Sequence, residues 1–458
     1  MEAFDTALIE RLPLAEATLQ LFDFVLEPKW LDRLYEEHRG RCYTDELTFP
    51  AFVGLLRDCL LMHGGSGHKG VVEAEKAGTM PVAQSSFYRK LSRMPVEVSE
   101  AMLRECTLRL HELVPPSQQR VLPSCVDGFE VYNGDGKKLK KAAKRLKACR
   151  GYGGKLLAAK VLVAMNARSG LAVAMSSALD GEANDVPLVP GLLPQARACG
   201  DKPILWVVDR QFGDLKTVRK LTGRRDHFLA RIRSGPRFTA DPSRPCTSGT
   251  DKKGRRYVDE CGWLGGAANK DRLYVRRITL DLDDGEQLVL ISDLTDADAF
   301  AAEDLLEIYR GRWNIEELFQ QVSEVFELRR LIGCTPQAGI FQAAFCLLMY
   351  NLVQTIRAYA ARDGGVKRQE VSTHNLFYDV KRELICWTYL EAPLTRSPVR
   401  DAPSMRRHLG RLLAGVWCET WLKAADKKPR KKKPPERALH GGHTSVWRLL
   451  QAAAEGTT

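Results

Sequence analysis

Three acidic side chains in this 458-residue chain stand where a charge is costly unless a cation meets it: Asp127, Asp209 and Glu316. Asp127 lies in the apolar run SCVDGFEV. Asp209 ends ILWVVD, at the carboxyl edge of what reads as a central, buried strand, where open α/β sheets place their ligands. Glu316 belongs to a stretch that reads as one long helix, AAEDLLEIYRGRWNIEELFQQVSEVFEL. Two strand aspartates and a helix glutamate form a donor set for two divalent cations, Mg2+ or Mn2+, which activate a water or a 3′-hydroxyl and stabilise the leaving oxygen of a phosphodiester. Phosphoryl transfer on nucleic acid is the chemistry these residues suggest. Taken singly each acid is more often structural, because the chain holds 57 Asp and Glu. The helix shifts that balance: Tyr309, Arg312, Glu316 and Ser323 recur at offsets of 0, 3, 7 and 14 and so share one helical face. An arginine one turn from the glutamate is placed to hold a phosphate bidentately while the carboxylate holds the metal.

The elements that must position these residues fall into blocks. Residues 1–120 show helical spacing with Gly and Pro breaks and almost no strand alternation, an all-α N-terminal domain with DNA binding as its expected role. Within it, MPVAQSSFYRKLSRMPVEVSEAM offers a Ser-capped basic segment, a Pro break and a second helix, either a helix-turn-helix reading DNA or two helices of a structural bundle. From 121 to 233, short apolar runs alternate with helical pieces, the first half of an α/β catalytic core. Residues 234–287 are polar and turn-rich and then alternate as LYVRRITLDL, a β-rich insertion. Residues 288–362 complete the core with the glutamate helix and a second helix, QAGIFQAAFCLLMYNLVQTIRAYAAR. A helical region with a basic tail, KKPRKKKPPER, fills 363–458.

Composition narrows the partners. Lys and Arg number 69, giving a net charge of +12, which favours a polyanion, and 44% hydrophobic with 28% charged residues is ordinary globular usage that excludes wholesale disorder. The 12 cysteines are scattered, with no CxxC or Cys/His cluster, and read as reduced core thiols. No signal peptide is visible near the first residue, and the apolar runs at 156–165 and 341–353 are too short or too interrupted to cross a bilayer. A soluble cytoplasmic protein, without membrane partner, is expected.

The segment YRGRWNIEELFQQVS resembles the Y-(2)-R-(3)-E-(6)-K signature of the bacterial DDE transposases of the IS-four group, with Tyr309, Arg312 and Glu316 matching. VDGFE at 126–130 resembles that family's first-aspartate strand, and VVDRQF at 207–212 its DRGF-type segment, with Arg210 retained and Gln211 in place of glycine. The spacings, 82 residues from Asp127 to Asp209 and 107 from Asp209 to Glu316, leave room for the β-rich insertion that the family carries inside a ribonuclease H-like fold. The resemblance covers about 121–355. It implies cut-and-paste transposition: binding of terminal inverted repeats in double-stranded DNA, two-metal cleavage, joining of 3′ ends to target DNA in a homo-oligomeric synapse on the nucleoid, and a hairpin intermediate. Ser323 stands where the family has lysine, so a catalytically decayed DNA-binding descendant and a nuclease of the same fold stay open as alternatives.

Basic residues Lys137, Lys138, Lys140, Lys141, Lys144 and Arg145 fall in a run at 136–150 that holds no acid, either a phosphate-tracking surface beside the first aspartate or a solvated helix face. Trp263 in the insertion is a candidate to stack on a flipped base, against the commoner role of packing in a hairpin. Asp185 reads as a loop-capping acid.

Overall fold

Proline at the first helical positions and side chains that accept from orphan N–H groups start several of the N-terminal helices. These are α1 (Pro13–Val25), α2 (Pro28–His38), α3 (Phe49–Leu61), α4 (Gly67–Lys76), α5 (Gln84–Ser92) and α6 (Val96–His111). Thr48 caps α3 through Ala51 N, and Ser66 caps α4 through Lys69 N. The segment expected to be Ser-capped begins otherwise: α5 is preceded by Ala83, which makes no side-chain cap, and Ser85 and Ser86 lie within the helix. The computed structural model describes residues 11–42, 46–63, 65–140, 142–223, 225–232, 237–266, 272–326, 328, 330–388, 398–423 and 442–456.

The sheet is built on β1 (Glu130–Lys140), β2 (Lys155–Asn166), β3 (Ala172–Ala178), β4 (Ile204–Val208) and β5 (His227–Arg231), with α7 (Val189–Arg197) and α8 (Leu215–Leu221) between them. β1 pairs antiparallel with β2 and parallel with β4, β4 pairs parallel with β5, and β3 pairs antiparallel with β2. Helix α7 covers one face, where Tyr132, Trp206 and Phe228 are buried. The other face carries Val131, Leu205 and Val207 under helix α9 (Ala302–Arg310). β4, buried at all five positions, is apolar throughout because both of its faces are covered. The architecture is mixed α/β.

Residues of the expected insertion form β6 (Phe238–Ala240), β7 (Thr247–Thr250), β8 (Arg256–Leu264) and β9 (Leu273–Asp281), and β9 pairs with β10 (Gln287–Ser292), which pairs with β5. The segment therefore continues the central sheet by hydrogen bonds. Its charges are cross-linked. Arg276, 1% exposed, grips both Asp259 oxygens at 2.8 and 2.6 Å and gives its remaining Nη1 to Phe300 O at 2.6 Å. Tyr257 donates to Glu303, Lys252 pairs with Glu307, and Asp251 accepts from both Arg255 and Arg310, so the insertion is tied to α9 at three points.

Helix α11 (Pro336–Asp363) is long and apolar enough to cross a membrane, but its apolar window is buried throughout the fold. The run at 341–353 is thus the middle of a longer core helix. Asn351 ties it to the sheet, donating to Thr107 Oγ1 and Ala172 O and accepting from Ala172 N. One continuous apolar core joins α1 through α6, α11 and the neighbouring face of β2, so the change of texture near residue 120 is not a break in packing. The C-terminal region contributes α12 (Thr373–Thr388), α13 (Ala402–Leu412), α14 (Val446–Glu455) and a short strand, β11 (His443–Ser445), parallel to β2. The basic tail lies outside the described residues.

The bidentate Arg276–Asp259 pair generates a stability prediction. Asp259→Ala leaves a buried guanidinium uncompensated and should lower the urea unfolding free energy by about 3–5 kcal/mol, whereas Arg276→Met combined with Asp259→Leu should come within about 1 kcal/mol of wild type. Equal losses in the two variants would show that the pair is not electrostatically coupled.

Candidate active site

β1 is the spine of the site. Its alternate residues face α9 and the helix that follows, α10 (Trp313–Glu324), in chain order. Val131 packs with Leu305 and Ile308 of α9, and Asn133 donates to Gly311 O at 3.2 Å. Asp135 Oδ2 lies 3.8 Å from Arg312 Nη1, and Lys137 Nζ sits 5.5 Å over the Phe319 ring of α10. The intervening residues need little room: a Cβ on Gly136 would lie 1.8 Å from Asp185, which forms a buried ion pair with Lys160 at 2.6 Å.

The stretch expected as one long helix is two, α9 and α10, broken at Gly311–Arg312. A side chain at Gly311 would crowd the Arg120 guanidinium, 2.4 Å from its first carbon, and the Ile308 carbonyl at 3.0 Å. With the carbonyl of Gly311 held by the buried Asn133, the chain is pinned from both sides. The break keeps Tyr309, Arg312 and Glu316 together: Arg312 Nη2 donates to Glu316 Oε1 at 2.8 Å, and its guanidinium lies 5.9 Å from the Tyr309 ring. Arg312 Nε and Nη1 are buried with no hydrogen-bond partner. Burial works against the arginine's charge, but Glu316, Tyr309 and Asp135 together hold its pKa above the ordinary value.

Asp127 is not placed with the other two carboxylates. It follows a 3-10 turn ahead of β1, its exposed side chain paired with Arg168 at 3.0 Å and its carbonyl accepting from Lys202. β1 enters its pairing with β4 at Glu130–Ile204 and leaves it at Gly134–Val208, so Asp127 and Asp209 lie at opposite ends of the same parallel pair, roughly 20 Å apart at about 3.3 Å per strand residue. The residue that the register brings beside Asp209 is Asp135. Asp135 is not among the residues the sequence singles out, since its neighbours are glycines and lysines whereas Asp127 sits in an apolar run. The signal was the alternation VYNGDGKKL, which starts the strand after Gly128.

Asp135 is mostly buried, and its carboxyl is pushed up to about 6. Burial is the main cause, Asp209 adds to it, and the Gly136 N–H bond to Oδ1 and Arg312 oppose it. Asp209 accepts from Gln211 N at 2.8 Å, opening the turn that carries the exposed Arg210. Oxygen donors of this kind suit Mg2+ or Mn2+. Among the described residues no three Asp, Glu, His or Cys side chains gather closely enough to hold an ion, since Glu316 is turned to Arg312.

The other expected residues are spread over several elements. Lys137, Lys138 and Lys140 are on β1, so that part of the basic run is strand and not helix, while Lys144 and Arg145 are exposed in the loop beyond it and Lys141 lies outside the described residues. Trp263 packs edge-on to Tyr274 at 4.9 Å with Arg272 over its ring at 4.3 Å. Ser323 gives its hydroxyl to Phe319 O at 2.7 Å. Asn133, missed entirely, and Asp185, read as a capping acid, both act on β1 beside Asp135.

A raised carboxyl pKa has a stability consequence of fixed sign. The folded chain keeps a proton on Asp135 that the unfolded chain releases near pH 4, so folding stability falls as pH rises from about 4 to about 6 and stays reduced above that. In chelator-containing buffer Asp135→Asn should raise the unfolding free energy at neutral pH by on the order of 1–3 kcal/mol, with the gain vanishing below pH 4. A gain independent of pH would mean that Asp135 is not the group responsible.

Among curated proteins no sequence matches this chain. One similar solved structure is the cryo-EM structure of a piggyBac transposase synaptic complex with hairpin DNA. It is 13% identical, the match covers 92% of this chain and 78% of that one, and the TM-score is 0.31. The family model described as the transposase DDE domain matches residues 122–352, just over half of the chain. Asp135, Asp209 and Glu316 all fall inside that span, and the chain belongs to the transposase DDE domain family.

Proposed function

We propose that the protein is a DNA transposase of the IS-four type that binds the terminal inverted repeats of an element, cleaves DNA and joins the freed 3′ ends to target DNA, with Asp135, Asp209 and Glu316 as its catalytic carboxylates. The observation that carries this reading is the β1–β4 register, which sets Asp135 beside Asp209 while Arg312 spans the gap between Asp135 and Glu316. The ribonuclease H-like reading of the core is supported by the strand order β3-β2-β1-β4-β5, with β2 alone antiparallel to its neighbour β1 at the centre.

Two Mg2+ or Mn2+ ions held by Asp135, Asp209 and Glu316 would supply activation of the attacking oxygen and charge neutralisation at the leaving one. The chain's own residues do the positioning. Arg312, whose buried Nε and Nη1 make no hydrogen bond, holds a phosphate oxygen, and buried Tyr309 walls the site beneath it. Arg210 and the lysines on β1 line the approach for the polyanion. DNA ends and target DNA are the partners, in a homo-oligomeric synapse in the cytoplasm.

The test compares three amides. Asp135→Asn and Glu316→Gln should each lower metal-dependent nicking and end joining by at least about 100-fold with DNA binding retained, because the amide is nearly isosteric but loses the charge that holds a cation. Asp127→Asn should stay within about threefold of wild type, since its exposed pair with Arg168 contributes little. Loss of activity in Asp127→Asn with Asp135→Asn active would overturn the assignment. Nicking without joining in the wild-type chain would move the reading to a nuclease, and binding with neither step to a decayed descendant.

A further inference from the structure

We infer that the helical N-terminal region holds a second ligand site, a cavity that takes a small organic anion with an apolar body. The cavity encloses about 750 Å³ between α1, α2, α3, α6 and residues 398–400, a volume in the range of small-molecule sites. None of its described lining residues falls within 122–352, the span of the transposase domain, so it stands apart from the catalytic carboxylates. Its walls are largely aliphatic, with Leu26, Leu31, Val53 and Val399 among them. Its floor is a gap in a helix. Pro50, Val53, Gly54 and Arg57 recur at offsets of 0, 3, 4 and 7 on α3 and so face the cavity together. Glycine inside a helix costs about 1 kcal/mol relative to alanine. Packing does not demand it here, since nothing lies within 4 Å of a Cβ added at Gly54.

The polar groups select the charge of the occupant. Arg57, Arg109 and Arg400 reach the cavity from three separate segments, against the carboxylates of Asp23 and Glu27. Glu27 is already engaged, accepting from Trp30 N at 2.9 Å as the cap of α2. Arg57 pairs through Nε with Asp58, which is not part of the lining, at 2.9 Å. Half-buried Arg109 makes no hydrogen bond or ion pair among the described residues. Its guanidinium lies 4.8 Å from the Phe24 ring and 5.4 Å from the Trp30 ring, contacts that hold the group in place and supply no acceptor oxygen. Burial lowers its pKa, opposed in part by Cys106 and Glu27. Aliphatic walls beside a guanidinium that lacks an acceptor fit a carboxylate, sulfonate or phosphate carried on an apolar body.

The experiment uses the full-length chain and two fluorescent probes of similar shape, anilinonaphthalene sulfonate and the uncharged N-phenylnaphthylamine, with the melting temperature of each variant measured alongside. Wild type should bind the sulfonate at least about 10-fold more tightly than the amine, the minimum expected of one charge-assisted hydrogen bond. Arg109→Gln should weaken the sulfonate about 10- to 100-fold and leave the amine within about twofold. Gly54→Phe, which puts a ring into the cavity and replaces a poor helix former, should abolish binding of both probes with a melting temperature no lower than wild type. Sulfonate binding equal to wild type in Gly54→Phe, or no preference for the sulfonate in the wild-type chain, would overturn the inference. Displacement of the sulfonate by duplex DNA would also overturn it, by assigning the three arginines to DNA phosphates.

Discussion

Two carboxylates set side by side in a protein interior repel each other and resist losing their water, so something other than their own electrostatics must hold them there. In this chain that something is backbone pairing. The parallel register of β1 on β4 ends at Gly134–Val208, which leaves Asp135 and Asp209 as the next residues on adjacent strands. The cost is visible in the raised Asp135 carboxyl and is offset by two neighbours that are themselves fixed, the Gly136 N–H and the Arg312 guanidinium. Backbone pairing thus places the charge, and the surrounding structure supplies the positive ends.

Placing Arg312 in turn depends on elements distant in sequence. It sits at a helix break whose glycine is pressed by Arg120, whose carbonyl is held by Asn133, and whose preceding helix is moored to the β insertion through Arg310, Glu307 and Glu303. A guanidinium at the end of a three-methylene stem could otherwise swing by several ångströms. Because Asn133 is only two residues from Asp135 on the same face of β1, the strand that fixes the aspartate also fixes the helix that carries the glutamate. The insertion, through buried pairs such as Arg276–Asp259, extends the same sheet and braces α9 from the other side.

Much of this order was legible in the residues. The helical N-terminal block, the apolar β4 ending at Asp209, the alternating LYVRRITLDL of β9 and the Tyr309–Arg312–Glu316 constellation all follow from periodicity and residue type. What sequence did not reveal depends on contacts between distant segments. A helix of good formers from 302 to 324 has no local reason to break at Gly311, since one glycine disfavours a helix by only about 1 kcal/mol; Asn133, which takes the Gly311 carbonyl, is a contact from a distant segment that acts there. Asp127 drew notice because apolar neighbours suggested burial, yet Pro123 and Gly128 confine that segment to a turn, and its carboxylate reaches solvent and Arg168. Asp135, flanked by glycines and followed by lysines, carries no local mark of burial. The glycines are there because Val208 and Asp185 crowd the opposite face of the strand.

The same crowding bears on how the site accepts charge of both signs. Behind β1, Asp185 is paired with Lys160 at 2.6 Å and still adds to the upward push on the Asp135 carboxyl. In front, Arg312 donates to Glu316 through Nη2 and lies within 3.8 Å of Asp135 through Nη1, while its buried Nε and Nη1 make no hydrogen bond, an arrangement that costs about 1–3 kcal/mol per group while nothing binds. On the proposed reading that deficit is the counterpart of the raised Asp135 carboxyl. The aspartates are short of a cation and the arginine is short of an anion. A phosphodiester arriving with divalent cations answers both at once, which makes the unliganded site the least stable state of the surrounding structure and its ligands a source of stability as well as reactants.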